Sequence, residues 1–356
     1  MLIARGGIPQ FARRLGSGDA STIVAFGTSM TLFGKYLEQV VPALSTAFRN
    51  HRIRLVNAGL RGFTTGIAPF RVADQVLGEP PDLVLIEFAH NDSTPEAIDL
   101  IAPALHGIIA RIRAQFAACD FVFVYLAPRG EAVGGTTPAI RAYEEVAGYY
   151  DIPSIDLAGY CEQLAAGGAE WDPGTPTSLT IDGIHHSEYA AGVLAPPFAA
   201  ALLDLTSRSA NLAPVARPCP DSRLAFATRV AAHDCISGGE WSIGVPANHE
   251  GRNAEAYSDA VAAAHVPGSS ITVSFAGSQV ALWTLGTGSL AIATSPAGAA
   301  RELRLTAASG WELRTLLAVS SPGRYTLEVS VVNLPVVLGD VFVVGKIELS
   351  SSGRRA

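Results

Sequence analysis

Side chains of the types that acyl transfer requires follow apolar runs in this sequence. Ser29 comes directly after a short apolar run, and Asn91 follows a longer one. Asp182 and His185 lie three residues apart, just before a stretch of helical period. Acyl transfer needs a nucleophile, a base oriented by a carboxylate, and hydrogen-bond donors for the oxyanion that develops on the substrate. These residue types therefore predict a serine nucleophile with a histidine base.

Each of these residues also has an ordinary structural interpretation. Ser29 stands where a helix is predicted to begin, so its hydroxyl could serve only as a helix cap. Asn91 could form an Asx turn, and a lone D-x-x-H spacing occurs by chance in many chains. His186 could pair with Asp182 in place of its neighbour, although the spacing favours His185. The residues therefore carry more weight as an ordered set than singly.

Apolar runs alternate with stretches of helical period up to about Ser209. The runs predict buried strands at 23–26, 53–57, 83–88, 121–126 and 152–156. Helical patterns occur at 37–48, 98–116 and 188–205. This alternation predicts a three-layer α/β/α domain with a parallel sheet. Because ligands bind beyond the carboxyl ends of parallel strands, the polar residues that follow the runs are expected at one rim.

The composition and periodicity of the sequence change after the last helical stretch. Pro214, Pro218 and Pro220 fall within seven residues, which is typical of a linker. Beyond them, short runs of alternating polarity are separated by glycine and proline turns, which predicts an all-β, jelly-roll-like sandwich. We predict a catalytic domain, a Pro-rich linker and an accessory domain at 1–208, 209–220 and 221–356.

The bulk composition excludes several classes of protein. The chain has 356 residues and a formal net charge of -7, with 49% hydrophobic and 16% charged residues. A mildly acidic chain does not offer the positive charge that binds nucleic acid or an anionic membrane, so we expect neither as a partner. A length above roughly 300 residues exceeds one hydrophobic core, which again indicates two domains.

The cysteines and histidines show no metal-ligand spacing. Cys119, Cys161, Cys219 and Cys235 lie far apart without a C-x-x-C pair, and the histidines are scattered. We expect buried free thiols, with a disulfide between Cys219 and Cys235 as the less favoured alternative. We expect no metal and no cofactor.

Four short motifs occur in a fixed order along the chain. They read AFGTSMT at 25–31, VNAGLRGFTT at 56–65, IEFAHND at 86–92 and DGIHHS at 182–187. This order resembles the four blocks of the SGNH hydrolases, the GDSL-type esterase superfamily. The resemblance extends over residues 5–205 and includes an N-terminal RGGIP segment.

The resemblance implies a flavodoxin-like fold and a role for each motif. Ser29 is then the nucleophile, His185 its base and Asp182 the carboxylate that orients the base. The oxyanion hole is then formed by the backbone N–H of Ser29, that of Gly62 and the side-chain amide of Asn91. Glycine at position 62 also has a physical reason, because a backbone donor that faces the substrate needs close approach without a Cβ.

Two positions depart from the superfamily pattern. Thr28 stands where the name-giving motif has aspartate, at a position expected to support the turn and not to perform chemistry. Ala89 stands where many members have glycine, although some branches resemble this sequence in reading E-F-A-x-N-D. Gly59 is an alternative to Gly62 as the backbone donor, and Gly62 aligns better.

The C-terminal domain resembles the galactose-binding-like jelly rolls found next to carbohydrate esterases. The segment 268–277 and the later segment 322–329 carry that resemblance. Exposed aromatic rings could stack on sugars, and the candidates are Trp241, Trp283 and Trp311, although core packing is favoured for Trp283. A scaffold, oligomerisation or lid role stands as the alternative to sugar binding.

We therefore expect a cofactor-independent serine esterase acting on short-chain acyl esters, with acetyl as the first choice and an acetylated saccharide as the candidate substrate. An O-acyltransferase with the same site is one alternative, and a non-catalytic carbohydrate-binding or assembly protein is another. No apolar stretch suited to export precedes the first strand, so we expect a cytoplasmic protein, with secretion open if a leader has been removed. The sequence is compatible with an oligomer.

Overall fold

The computed structural model describes residues 2–92, 95–126, 137–209, 217–221, 223–244, 260–295, 301–305 and 312–348. The chain divides into two compact units, Met1–Ala225 and Phe226–Ala356. Most of the predicted linker, 210–216, lies outside the described residues. The end of that linker belongs to the first unit, where the Pro218 carbonyl oxygen accepts a hydrogen bond of 3.0 Å from the Tyr149 hydroxyl.

The first unit contains one mixed sheet. Its strands are β1 (Leu2–Ile3), β2 (Ser21–Gly27), β3 (Ile53–Gly59), β4 (Leu83–Glu87), β5 (Asp120–Tyr125) and β6 (Ser154–Asp156). They lie in the order β1-β6-β5-β4-β2-β3, with β1 antiparallel to β6 and the other pairs parallel. Numbered along the chain, the five parallel strands have the order 2-1-3-4-5, which is the flavodoxin-like arrangement. The predicted parallel sheet is confirmed.

Helices cover both faces of this sheet. They are α1 (Pro9–Ser17), α2 (Ser29–Leu32), α3 (Val40–Phe48), α4 (Ala68–Gln75), α5 (Pro95–Gln115), α6 (Pro138–Tyr150), α7 (Ala158–Ala166) and α8 (Glu188–Ser209). In β2, Ile23 and Ala25 join the core formed with α1, α3 and α8, while Val24 and Phe26 point to the opposite face and are equally buried. Burial on both faces explains why the strands read as continuous apolar runs.

Helix α8 is long and apolar enough to cross a membrane by length and composition alone. Its residues Leu194, Phe198, Leu202 and Leu205 are instead buried in the core of the first unit. The helix also packs against α1 and α3. Its apolar composition is therefore explained by its place in the core.

The second unit consists of antiparallel strands. They are β7 (Ala227–Ala231), β8 (Ile236–Gly238), β9 (Trp241–Gly244), β10 (Val261–Ala264), β11 (Ser270–Gly286), β12 (Ser289–Ser295), β13 (Arg301–Arg304), β14 (Glu312–Asn333) and β15 (Val336–Glu348). The central strand β11 pairs with both β14 and β15. Its residues Ile271, Val273 and Phe275 face the core with period two, as predicted. The predicted all-β second domain is confirmed.

The tryptophans of the second unit differ in their surroundings. Trp283 is 5% exposed and packs edge-on against Phe342, with ring centroids 6.2 Å apart. Trp241 is partly buried, and its indole N–H donates to the Gly238 carbonyl oxygen at 2.9 Å. Trp311 lies outside the described residues. Trp283 is thus a core residue, and sugar binding by this unit stays a prediction.

Candidate active site

Ser29 lies where β2 passes into α2, at the carboxyl edge of the sheet. The cap of this short helix is Thr28, whose hydroxyl accepts from the backbone N–H of Met30 at 3.1 Å. Ser29 is therefore not needed as the cap. Gly27, two residues before Ser29, has no room for a side chain, because a Cβ there would lie 2.2 Å from the hydroxyl oxygen of Thr31.

A tight turn holds Asp182 against His185. Gly183 in this turn has a φ of 86°, a conformation that favours glycine. The backbone N–H groups of Ile184 and His185 donate to Oδ1 of Asp182 at 2.9 and 2.7 Å, and Oδ2 lies 2.6 Å from Nδ1 of His185. Partial burial raises the pKa of Asp182, but the hydrogen bonds from His185 and Ile184 outweigh it and hold that pKa below its ordinary value. The carboxylate therefore stays ionised and faces the imidazole.

The same imidazole reaches the serine. Nε2 of His185 lies 3.0 Å from Oγ of Ser29. Asp182, His185 and Ser29 thus form one continuous chain of contacts, although they come from distant parts of the sequence. In such a chain the imidazole can accept the hydroxyl proton, and the carboxylate orients the ring and stabilises its charged form.

The neighbouring His186 has different contacts. It pairs with Thr180 in a short antiparallel bridge. Its Nε2 is buried and has no hydrogen-bond partner among the residues that the structure describes. Burial, together with the nearby His90 and His185, lowers the pKa of His186 to about 4. His186 is therefore uncharged at pH 7, and the imidazole that contacts Asp182 is that of His185.

Gly62 and Asn91 lie on the loops that follow β3 and β4. Gly62 has a φ of 69°, a conformation that favours glycine. The Asn91 side-chain amide donates to the carbonyl oxygen of Phe63 at 2.8 Å, which joins the two loops beside Gly62. An amide carries two N–H groups, so one remains for an oxyanion.

Ser29 and Asn91 follow β2 and β4, between which the strand order reverses, and ligands bind at such switch points. The oxyanion-hole roles stay a prediction.

A buried network supports the loop that carries Gly62. Oδ1 of Asp92 accepts from the backbone N–H of Thr65 at 3.0 Å, and Oδ2 accepts from the Thr65 hydroxyl. The Tyr143 hydroxyl lies 2.6 Å from the same threonine oxygen. Burial raises the pKa of Asp92 to about 6 in spite of these bonds. Satisfied buried networks of this kind make a loop rigid, which a preorganised oxyanion donor requires.

Glu87, the last residue of β4, is a fully buried carboxylate to which we assigned no role from the sequence. Its Oε2 accepts from the hydroxyls of Thr28 and Thr31, each at 2.9 Å, and from the Thr28 backbone N–H at 3.1 Å. This contact explains the departure at position 28, because an aspartate there would face a second carboxylate. A charged residue at the end of an apolar strand was the available signal, since buried glutamate needs partners.

The buried Glu87 carboxyl predicts a pH dependence of stability. Burial raises the pKa of Glu87 from 4.5 to about 7, and His90 and the hydroxyl donors only partly oppose this. Between these values the folded protein holds a proton that the unfolded chain releases, so stability falls as pH rises, by at most about 1.4 kcal/mol per pH unit. Because glutamine does not ionise, the free energy of unfolding of Glu87→Gln should fall less than that of wild type as pH rises from about 5 to 7.5. Urea unfolding at each pH measures this difference. Parallel profiles for the two proteins would contradict a proton on Glu87.

Three of the four cysteines are too deeply buried to act as competing nucleophiles. All four are free thiols, and Cys119, Cys161 and Cys235 are buried. Burial raises the pKa of each of these three thiols, and that of Cys161 and Cys235 reaches about 12. Buried protonated thiols are unreactive. Among the described residues, no group of three or more histidine, cysteine, aspartate and glutamate side chains is arranged to hold a metal ion.

The chain is similar to known proteins in sequence and in fold. Residues 21–189 match the model of the GDSL-like Lipase/Acylhydrolase family. No curated protein matches the chain. A crystal structure of a two-domain esterase (CEX) active on acetylated mannans has a TM-score of 0.73 and 18% identity, and the match covers 96% of this chain and 98% of that chain. The same esterase co-crystallised with mannopentaose matches with 96% coverage of both chains. An acetyl xylan esterase, AlAXEase, is 20% identical over 51% of this chain and 98% of that chain, with a TM-score of 0.42.

Fold and family match together support a carboxylic ester hydrolase. Residues 21–189 of the first unit, which contain all four motifs, are similar to that family, and the strand order of this unit is flavodoxin-like. The similarity to the two-domain esterase shows a shared fold over nearly the whole chain, second unit included.

Proposed function

We propose that this chain is a serine esterase that removes short acyl groups, above all acetyl, from carbohydrate esters. Ser29 attacks the ester carbonyl while His185 takes its proton, and the oxyanion faces the N–H groups of Ser29, Gly62 and Asn91. His185 then protonates the leaving alcohol, and the acyl group stays on Ser29. A water molecule activated by the same imidazole releases the acid and restores the serine.

The contact chain from Asp182 through His185 to Ser29 carries this proposal. Its two contacts, 2.6 and 3.0 Å, are of hydrogen-bond length and join the three groups in the order that nucleophilic catalysis needs.

The substrate class is supported by the similarity to the esterase active on acetylated mannans. That protein matches this chain over both units, so the second unit accompanies an esterase unit in each. The acetyl group and the carbohydrate alcohol are proposed on this basis.

The exposure of the candidate triad favours hydrolysis over acyl transfer. The Asp182 side chain is 47% exposed and that of His185 is 24% exposed. The base and its carboxylate are thus open to water in the described part of the chain, whereas transfer to an alcohol requires a site that excludes water.

The proposal is tested by acetate release from defined esters. We expect the chain to cleave p-nitrophenyl acetate faster than the octanoate ester, and to release acetate from an acetylated mannooligosaccharide. An added acceptor sugar should leave free acetate as the main product. Cleavage of p-nitrophenyl acetate without release from any acetylated saccharide would overturn the carbohydrate part, and acetylation of the acceptor in place of release would identify a transferase.

A further inference from the structure

Arg61 lies beside the candidate triad and takes no part in the chemistry described above. It directly precedes Gly62 on the loop after β3. Its guanidinium carbon lies 4.5 Å from the centre of the Phe33 ring. The Phe33 ring in turn meets His185 edge-on, with ring centroids 5.3 Å apart. The Phe33 ring therefore lies in contact with both the Arg61 guanidinium and the His185 imidazole.

The guanidinium has no counter-ion in the part of the chain that the structure describes. No carboxylate forms an ion pair with it, and its Nε is buried without a hydrogen-bond acceptor. Asp182, in the turn that ends at His185, already accepts a hydrogen bond from the Ile184 backbone N–H and contacts the His185 imidazole. Nε is closed to a ligand, but the terminal N–H groups of the guanidinium are not among its buried atoms, so a ligand can supply acceptors to them.

The contact with Phe33 holds the guanidinium ready for a ligand. Phe33 is 45% exposed, which is high for a phenylalanine, and the guanidinium lies over its ring. A guanidinium fixed in this way loses less freedom when it binds a ligand. Its planar fork of donors matches a carboxylate through two parallel hydrogen bonds.

We propose that Arg61 binds a carboxylate of the substrate, so that the preferred ester lies on an acidic saccharide, such as an acetylated uronic acid. This inference rests on the proposed function, because it concerns the substrate of the same site. It makes Arg61 a specificity-determining residue for the alcohol that carries the acyl group.

The test compares two substrates that differ only in charge, an acetylated glucuronic acid glycoside and the corresponding uronamide. In wild type we expect kcat/KM for the acid to exceed that for the amide by about 10- to 100-fold, as for a hydrogen bond to a charged group. Arg61→Met should abolish this ratio, and Arg61→Lys should keep part of it. Arg52→Met is the matched control, since Arg52 is exposed at the opposite end of β3, and it should keep the wild-type ratio.

Because the ratio is taken within each variant, it does not depend on the amount of folded enzyme. A wild-type ratio near one, or a preference that survives in Arg61→Met, would overturn the role of Arg61 and leave the esterase proposal standing. Failure of wild type to cleave either sugar ester and also p-nitrophenyl acetate would instead be a failure of the proposed function.

Discussion

Ser29→Ala and His185→Ala should each lower kcat by about a million-fold, and the double variant should lose no more than either single variant. Nucleophile and base act as one unit, so removing either removes the whole route, and the residual rate comes from binding and oxyanion stabilisation. Initial rates with p-nitrophenyl acetate measure this effect.

The structure provides a folding control for these variants. Ser29 is 9% exposed at the edge of the first unit, and its hydroxyl contacts His185 without serving as the helix cap. Both variants should therefore keep a melting temperature close to that of wild type. Losses that multiply in the double variant would show that the two residues act independently, contrary to a shared proton transfer.

Asn91→Ala should lower kcat by about 100- to 1000-fold, as expected for loss of one oxyanion donor, with a much smaller change in KM. The same side chain also donates to the carbonyl oxygen of Phe63, so some loss of stability is expected as well. Asn91→Asp keeps the shape but removes the donor, and it should be as inactive as the alanine variant. Rates and urea unfolding of each variant separate the two effects.

Asn50→Ala is the matched control for the loss of an amide-to-carbonyl hydrogen bond. The Asn50 amide donates to the carbonyl oxygen of Asp19 at 2.9 Å, before the strands begin and so at the opposite edge of the sheet. This variant should lose stability while keeping kcat. If Asn91→Ala behaved in the same way, with stability lost and kcat retained, Asn91 would be a structural residue only.

Much of the fold could be predicted because burial imposes a pattern on the sequence. Strands covered on both faces read as apolar runs, and the parallel sheet followed from those runs. Boundaries were less accurate where local chemistry intervenes. The predicted strand at 152–156 is observed only at Ser154–Asp156, after Pro153, which has no N–H to donate to a neighbouring strand. The helical pattern at 37–48 divides into a short turn at Lys35–Leu37 and α3, with Pro42 in the first turn of α3.

The residues of the candidate site were predictable for a different reason. Polar groups at the carboxyl ends of parallel strands lie at one rim, so Ser29 and Asn91 could be placed together from the sequence. His185 follows no strand, and the order of the four motifs placed it at this site. The turn that joins Asp182 to His185 places its contacts within four residues. Short-range geometry of this kind can be inferred from spacing alone.

Contacts between distant segments could not be predicted in this way. The interaction of Glu87 with Thr28 joins two strands, and neither residue indicates the other in sequence. The contacts from Arg61 through Phe33 to His185 join three loops. Such pairs depend on the packing of side chains across the sheet edge, which periodicity does not encode.

Labelling with a serine-directed phosphonate tests most directly whether Ser29 is the nucleophile. Wild type should gain one phosphonyl group by intact-mass analysis, on the peptide that contains Ser29, in parallel with loss of esterase activity. Ser29→Ala should remain unlabelled, and His185→Ala should react far more slowly. Labelling on another residue, or equal labelling of wild type and Ser29→Ala, would contradict the account.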